Sequence, residues 1–171
     1  MGETPLRRLV PTEVLGEIGV MDSLRFRTAG PGDAIALSRL LGQLGYPSAP
    51  EEIPDRLQKM HERSGTTVMI AEDDSGAVGV ATIHLFQALH TSAPIAWLTA
   101  VVVEEKSRGK GIGAALLRRA EEWAIERGAN RLSLTSALHR TRAHEFYKSH
   151  SYEQTGVRLV KSFDAGHRTH D

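Results

Sequence analysis

Apolar and polar positions alternate or recur along most of this chain, and the period changes several times. From residue 24, "LRFRTA" alternates as a half-buried strand does. After the break "GPGD", Ile35, Leu37, Leu40, Leu41 and Leu44 recur at helical spacing, with Asp33 placed to cap that helix. "GYPSAP" ends it, and residues 51–63 read as a second, more polar helix with Pro54 in its first turn. "TTVMIAEDDSGAVGVATIHLFQALH" is two β-rich runs around "DDSG", a hairpin signal. Residues 95–103 are a third apolar run, and 111–127 a helix stopped by "GAN". "RLSLTS" reads as a strand, 141–150 as a short helix, and "SYEQTGVRLVKSF" as two short strands around Gly156. The order β-α-α-β-β-β-α-β-α-β-β predicts an α/β fold with a mixed sheet and no internal repeat. Two central strand–helix–strand units within it imply local parallel pairing.

Residues 1–22 stand apart, with scattered apolar positions and no sustained period. They read as an N-terminal extension to a domain covering 23–171, and Thr12 is placed to cap a short helix over 12–18. At 171 residues the chain suits one domain with a sizeable core. Lys+Arg and Asp+Glu number 21 each, so no global field recruits nucleic acid or an anionic membrane. The absence of cysteine excludes disulfides, thiolate zinc sites and a cysteine nucleophile. With no apolar run of transmembrane length and no signal-peptide core, a cytoplasmic location is expected.

The densest chemical signal is "VVVEEKSRGKGIGAALL", an apolar strand, a glycine-rich turn and a helix start in that order. It is not a Walker loop, which needs Gly-x-x-x-x-Gly-Lys-Ser/Thr, nor a dinucleotide fingerprint, which needs Gly-x-Gly-x-x-Gly and a later acidic residue. The physics beneath both motifs survives. Gly109, Gly111 and Gly113 let a ligand reach backbone N–H groups, and a helix N-terminus favours negative charge. Lys106, Arg108 and Lys110 add cations at the same turn. In the helix, Ile112, Ala115, Leu116, Ala120, Trp123 and Ala124 form an apolar face, opposite Arg118, Arg119, Glu121, Glu122 and Glu126. Such a helix packs on a sheet and holds its N-terminus still.

This segment resembles the acyl-CoA-binding signature of the GNAT superfamily of N-acetyltransferases, Arg/Gln-x-x-Gly-x-Gly/Ala, with Arg108, Gly111 and Gly113 at the matching positions. "RTRAHEFYKSHSYEQTG" is similar to the family's later helix, where Ala143, Phe146 and Tyr147 match Ala-x-x-Phe-Tyr. Tyr152 replaces the family's aromatic, and Ser151 stands where glycine is usual. The resemblance covers about residues 23–163. It implies a central sheet of mixed parallel and antiparallel strands with helices on both faces, and acetyl-CoA as cosubstrate. Main-chain groups of Val101 and Val103 would pair with the pantetheine arm, with Val102 turned away between them. The N–H groups of Arg108, Gly109, Lys110, Gly111, Ile112, Gly113 and Ala114 would hold the pyrophosphate. Homodimers are common among such proteins.

The reaction implied is attack of a neutral amine on a thioester. A backbone N–H on the strand would stabilise the oxyanion, and the Tyr147 phenol would protonate the leaving thiolate. Tyr147 alternatively anchors its short helix, while Phe146 reads as a core residue. Many relatives carry a glutamate on the strand before the turn, but residues 95–103 hold no carboxylate. Glu104 and Glu105, at its end, read as solvated. Neutralising a lysine-like amine of pKa about 10.4 at pH 7 costs roughly 4.6 kcal/mol, against about 1.4 for an α-amine near 8. A missing base therefore leans toward a low-pKa amine or a water relay. His84 and Glu72 could reach an acceptor, or could be surface and core groups. His139, His144 and His150 lack the spacing of a zinc site, so no metal is expected. The acidic runs "EEIPDRL" and "AEDD" offer patches for a cationic substrate or merely solvated faces. Three functions remain open: acetylation of a small amine, amino-sugar or amino-acid-like; acetylation of a protein or peptide; and non-catalytic acyl-CoA binding.

Overall fold

The computed structural model describes residues 23–163, which gather into two compact units divided between Leu134 and Thr135. The helix expected over 12–18 lies outside the described residues. The first unit holds five strands: β1 (Arg25–Thr28), β2 (Thr66–Asp73), β3 (Gly76–Phe86), β4 (Ile95–Val103) and β5 (Leu132–Leu134). They lie side by side in chain order. The first three pairings are antiparallel and β4–β5 is parallel, so the sheet is mixed as expected. The hairpin between β2 and β3 closes on Asp73, whose carboxylate accepts the N–H and the hydroxyl of Ser75 at 2.8 and 2.6 Å. The hydroxyl contact leads in holding the Asp73 carboxyl below its ordinary pKa.

Helices α1 (Ala34–Leu44) and α2 (Ile53–His61) cover one face of the sheet, and α3 (Ile112–Glu126) covers the other. On the first face Leu37, Leu40, Ile53 and Leu57 meet Val68, Ile70, Val80 and Val102 in one buried cluster. On the second, α3 buries Ile112, Ala115, Leu116, Leu117, Ala120 and Ala124. It approaches so closely that a Cβ on Gly79 would lie 2.8 Å from Leu116 Cδ1 and 3.2 Å from the Val102 carbonyl oxygen. Trp123, expected on the packed face, is only half-buried and stacks under the Arg127 guanidinium at 4.3 Å.

Two expectations for the first helix fail for geometric reasons. Ile35 is exposed, because at 3.6 residues per turn it sits about 200° around the axis from Leu37. Asp33 stands at the start of α1 but makes no side-chain cap. Its carboxylate is taken by Arg27, whose Nη1 and Nη2 each donate at 2.7 Å, and it also accepts the Gly30 N–H at 2.8 Å. The Arg27 bonds lead in holding the Asp33 carboxyl below its ordinary pKa.

The second unit contains α4 (Thr141–Ser149), which buries no side chain completely. Phe146, expected in the core, is half-buried against Tyr147 and His150, with ring centroids 5.3 and 4.5 Å away. The two strands expected around Gly156 do not form: residues 152–163 have no regular structure and are mostly exposed. Alternation predicts a side-chain pattern, but a strand also needs an edge to pair with, and this unit offers none among its described residues.

Candidate active site

The chemistry-bearing stretch begins inside β4. Opposite Thr82 and Ile83 of β3 stand Ala100 and Leu98, so Thr99 is an extra residue, a β-bulge. Before it, the Ala96 N–H donates toward β5, to the Arg131 carbonyl at 3.0 Å. After it, the Glu104 N–H donates toward β3, to the Val78 carbonyl at 2.8 Å. Residues alternate along a strand, so Val102 shares Glu104's direction while the main-chain groups of Val101 and Val103 point away from β3. The bulge makes this switch. Parallel pairing with β5 ends at Leu98, so that outward edge has no strand against it among the described residues. Val102 itself is buried under α1 and α2.

Beyond β4 the chain makes a short 3-10 turn, Glu105–Ser107, and then the glycine-rich turn. Gly109 and Gly111 adopt φ of 79° and 77°, the left-handed region that side chains other than glycine disfavour. Nothing lies within 4 Å of where a Cβ on Gly109 would be, so its conformation, not crowding, calls for glycine. Gly111 precedes α3 without any side-chain cap. The first N–H groups of a helix have no partner within it. Among the described residues, no protein acceptor engages the N–H groups of residues 109–114. The Arg108 N–H does have one, donating to the Glu105 carbonyl at 3.2 Å, while Arg108 Nε donates to the Val103 carbonyl at 3.1 Å. Lys106, Arg108 and Lys110 are exposed around this array.

Glu104, expected to be solvated, is instead buried. Its Oε1 accepts from Gln43 Nε2 at 2.6 Å, and its Oε2 lies 2.7 Å from Arg39 Nε, an ion pair not aligned as a hydrogen bond. Gln43 Oε1 accepts the Glu105 N–H at 2.9 Å. Glu105 itself is exposed, as expected.

The two base candidates are occupied differently. Glu72 lies opposite Arg25 on β1 and accepts from Arg27 Nε at 2.7 Å, with Arg25 Nε at 3.5 Å. The Arg27 bond leads in lowering its pKa, so it is an ion-pair member on β2, tied to the edge strand β1. His84 Nδ1 lies 3.1 Å from Thr66 Oγ1, and burial, with Arg63 nearby, pushes its pKa below the ordinary histidine value. In the acidic run 51–57, Asp55 pairs with Lys59 at 2.6 Å and Glu52 with Arg56 at 2.5 Å.

In the second unit, the Tyr147 ring meets Tyr152 at 5.7 Å between centroids. Burial raises its phenol pKa, opposed by Arg140, so the hydroxyl keeps its proton beyond the ordinary tyrosine range. Ser151, just after α4, has φ of 65°. His150 Nδ1 lies 2.8 Å from the Phe146 carbonyl. No group of three or more metal-ligating side chains occurs among the described residues, and no helix there is long and apolar enough to cross a membrane.

The acetyltransferase (GNAT) family model matches residues 36–152. An aminoalkylphosphonate N-acetyltransferase of Salmonella typhimurium is 35% identical over 85 residues, which cover 50% of this chain and 55% of that protein. The chain thus aligns with about half the length of that relative. The uncharacterized N-acetyltransferase YhfO of Bacillus subtilis is 26% identical over 137 residues, 77% of this chain and 91% of that one. Among solved structures, a GNAT family acetyltransferase of Staphylococcus aureus superposes with a TM-score of 0.71 at 19% identity, covering 82% of this chain and 99% of the other.

Proposed function

Because the chain belongs to the GNAT family of acetyltransferases, we propose that it transfers the acetyl group of acetyl-CoA to a primary amine of a small molecule, amino-sugar or amino-acid-like. In this reading residues 23–171 are the catalytic domain and 1–22 an extension. The observation that carries it is the set of unengaged N–H groups at 109–114, one short turn after the outer edge of β4 that no strand pairs among the described residues. A diphosphate suits those donors, the left-handed glycines and the three exposed cations. The main-chain groups of Val101 and the N–H of Val103 suit the amides of a pantetheine arm, while the Val103 carbonyl is held by Arg108 Nε. Alignment with a relative that acetylates aminoalkylphosphonates supports a small, amino-acid-like acceptor over a protein.

Acetyl-CoA would supply an activated thioester. The amine nitrogen attacks its carbonyl carbon, the C–N bond forms and the C–S bond breaks. An outward N–H of β4 stabilises the developing oxyanion. The Tyr147 hydroxyl, assigned by its place in the family motif, gives its proton to the departing thiolate and recovers one through solvent from the attacking nitrogen, which loses a proton as it becomes the amide. A phenol whose pKa is raised remains a proton donor through neutral and mildly alkaline pH. His84, whose pKa burial lowers and whose Nδ1 lies 3.1 Å from Thr66 Oγ1, has no assigned part in proton transfer.

The test is release of free CoA across a panel of aminoalkylphosphonates, amino sugars, amino acids and peptides. Turnover confined to small amines is expected. Turnover confined to peptides would favour the protein-acetylating alternative, and CoA binding without any turnover a non-catalytic module. Tyr147→Phe should lower kcat by roughly 10²-fold or more while leaving CoA affinity within about twofold. Unchanged kcat across the pH range would remove Tyr147 from the mechanism.

A further inference from the structure

The N–H groups at 109–114 are useful only if the turn that carries them is held in place, and that hold comes from α1. Gln43, in the last turn of α1, lies 61 residues before Glu104 and touches the chain where β4 gives way to the 3-10 turn. Its amide makes two contacts there. Nε2 donates to Glu104 Oε1 at 2.6 Å, and Oε1 accepts the Glu105 N–H at 2.9 Å. One turn earlier on the same helix, Arg39 pairs with the other oxygen of Glu104 and donates from Nη2 to the Ala77 carbonyl at 2.9 Å. Glu104 is thereby anchored on both carboxylate oxygens, and its own carbonyl accepts the Ser107 N–H at 2.9 Å. The next link runs from Arg108 Nε back to the Val103 carbonyl at 3.1 Å. These bonds fix Glu104, the N–H groups of Glu105 and Ser107, and Arg108, and the uninterrupted run of unengaged N–H groups starts at Gly109.

We infer that Gln43 is a positioning residue for acyl-CoA: it locks the start of the glycine-rich turn, so that the donors beyond it are aimed before the diphosphate arrives. The inference rests on the proposed CoA site. A turn with two left-handed glycines is otherwise free to wander, and ordering it on binding would weaken affinity. The role needs a side chain that donates on one side and accepts on the other within one plane, which a glutamine amide does and a carboxylate does not. The charged groups facing position 43 are Glu104 and, through it, Arg39.

The test is calorimetric titration of the full chain with CoA, near pH 8 and near pH 5, with wild type measured at each pH as reference. Gln43→Ala should weaken CoA binding about ten-fold at both values, the equivalent of one lost charge-assisted hydrogen bond. Its kcat at saturating acetyl-CoA should stay within about threefold of wild type, so the loss falls on KM. Gln43→Glu should bind at least about ten-fold more weakly near pH 8, where it meets Glu104 as a second carboxylate, and recover to about threefold near pH 5, where protonation restores a donor. If Gln43→Ala does not fold, the pH-dependent recovery of Gln43→Glu decides alone. CoA binding by Gln43→Ala within twofold of wild type, or a Gln43→Glu deficit independent of pH, would overturn the inference. A wild-type chain that binds no CoA would instead overturn the proposed function.

Discussion

Ser151 shows how one residue can depart from a pattern while keeping its geometry. The turn after α4 needs a left-handed residue, because the Ser151 N–H donates to the Lys148 carbonyl and the Tyr152 N–H to the Tyr147 carbonyl, each at 3.0 Å. Glycine adopts φ near 65° without strain, whereas an L-residue there costs roughly 1–2 kcal/mol. Part of that gain is lost because glycine also makes the unfolded chain more flexible. Ser151→Gly is therefore expected to stabilise the protein by about 0.5–1 kcal/mol, read from the midpoint of urea denaturation. A midpoint that falls would mean the serine side chain contributes something its backbone strain hides. The position was conspicuous in the sequence because serine stood where glycine is usual, but its φ was not, since no side-chain type announces strain. Glu104 was misjudged for a related reason. Two successive glutamates after a strand read as solvent-facing, and the groups that bury one of them, Arg39 and Gln43, lie more than sixty residues away in sequence.

At the level of elements, legibility followed how local each cause was. β4 was readable to its ends because nine successive residues without a charge favour a largely buried strand, and α3 because its apolar stripe and preceding glycines are adjacent. The bulge at Thr99 was not, since it is a relation between two strands rather than a property of one. The pairing of residues 152–163 failed likewise, because an alternating segment forms a strand only where an edge is presented to it. The contact of α3 with the sheet is also relational, and Gly79 carries it. A larger side chain there meets Leu116, whose tip can move, and the Val102 carbonyl, which cannot without disturbing β4. Gly79→Val should cost about 1–3 kcal/mol by overpacking, seen as a lower denaturation midpoint with an unchanged slope. Trimming Leu116 in the same chain should return part of that loss, since residues in contact couple. If Gly79→Val stays within about 0.5 kcal/mol of wild type, α3 is not seated as tightly as these distances require.

Across the whole chain, acidic and basic residues cancel, 21 against 21, so no long-range field draws a tetra-anionic ligand toward it. On the proposed function, recognition of acetyl-CoA would come from short-range contacts: the main-chain donors at 109–114 and the exposed Lys106, Arg108 and Lys110. Because those donors exist only in the folded turn, a ligand held there would bind the native state and stabilise it by mass action. At a hundred times its dissociation constant the gain is about 2.7 kcal/mol, a rise in Tm of roughly 5–10 °C for a chain of this size. Acetyl-pantetheine offers the same thioester and the same amides for the edge of β4, but no diphosphate. At matched concentration it should raise Tm by less than about a degree, because the turn and its cations are left with nothing to bind. Were both ligands to stabilise equally, the N–H groups of the glycine-rich turn would not be the anchor, and the site would have to be sought along β4 alone.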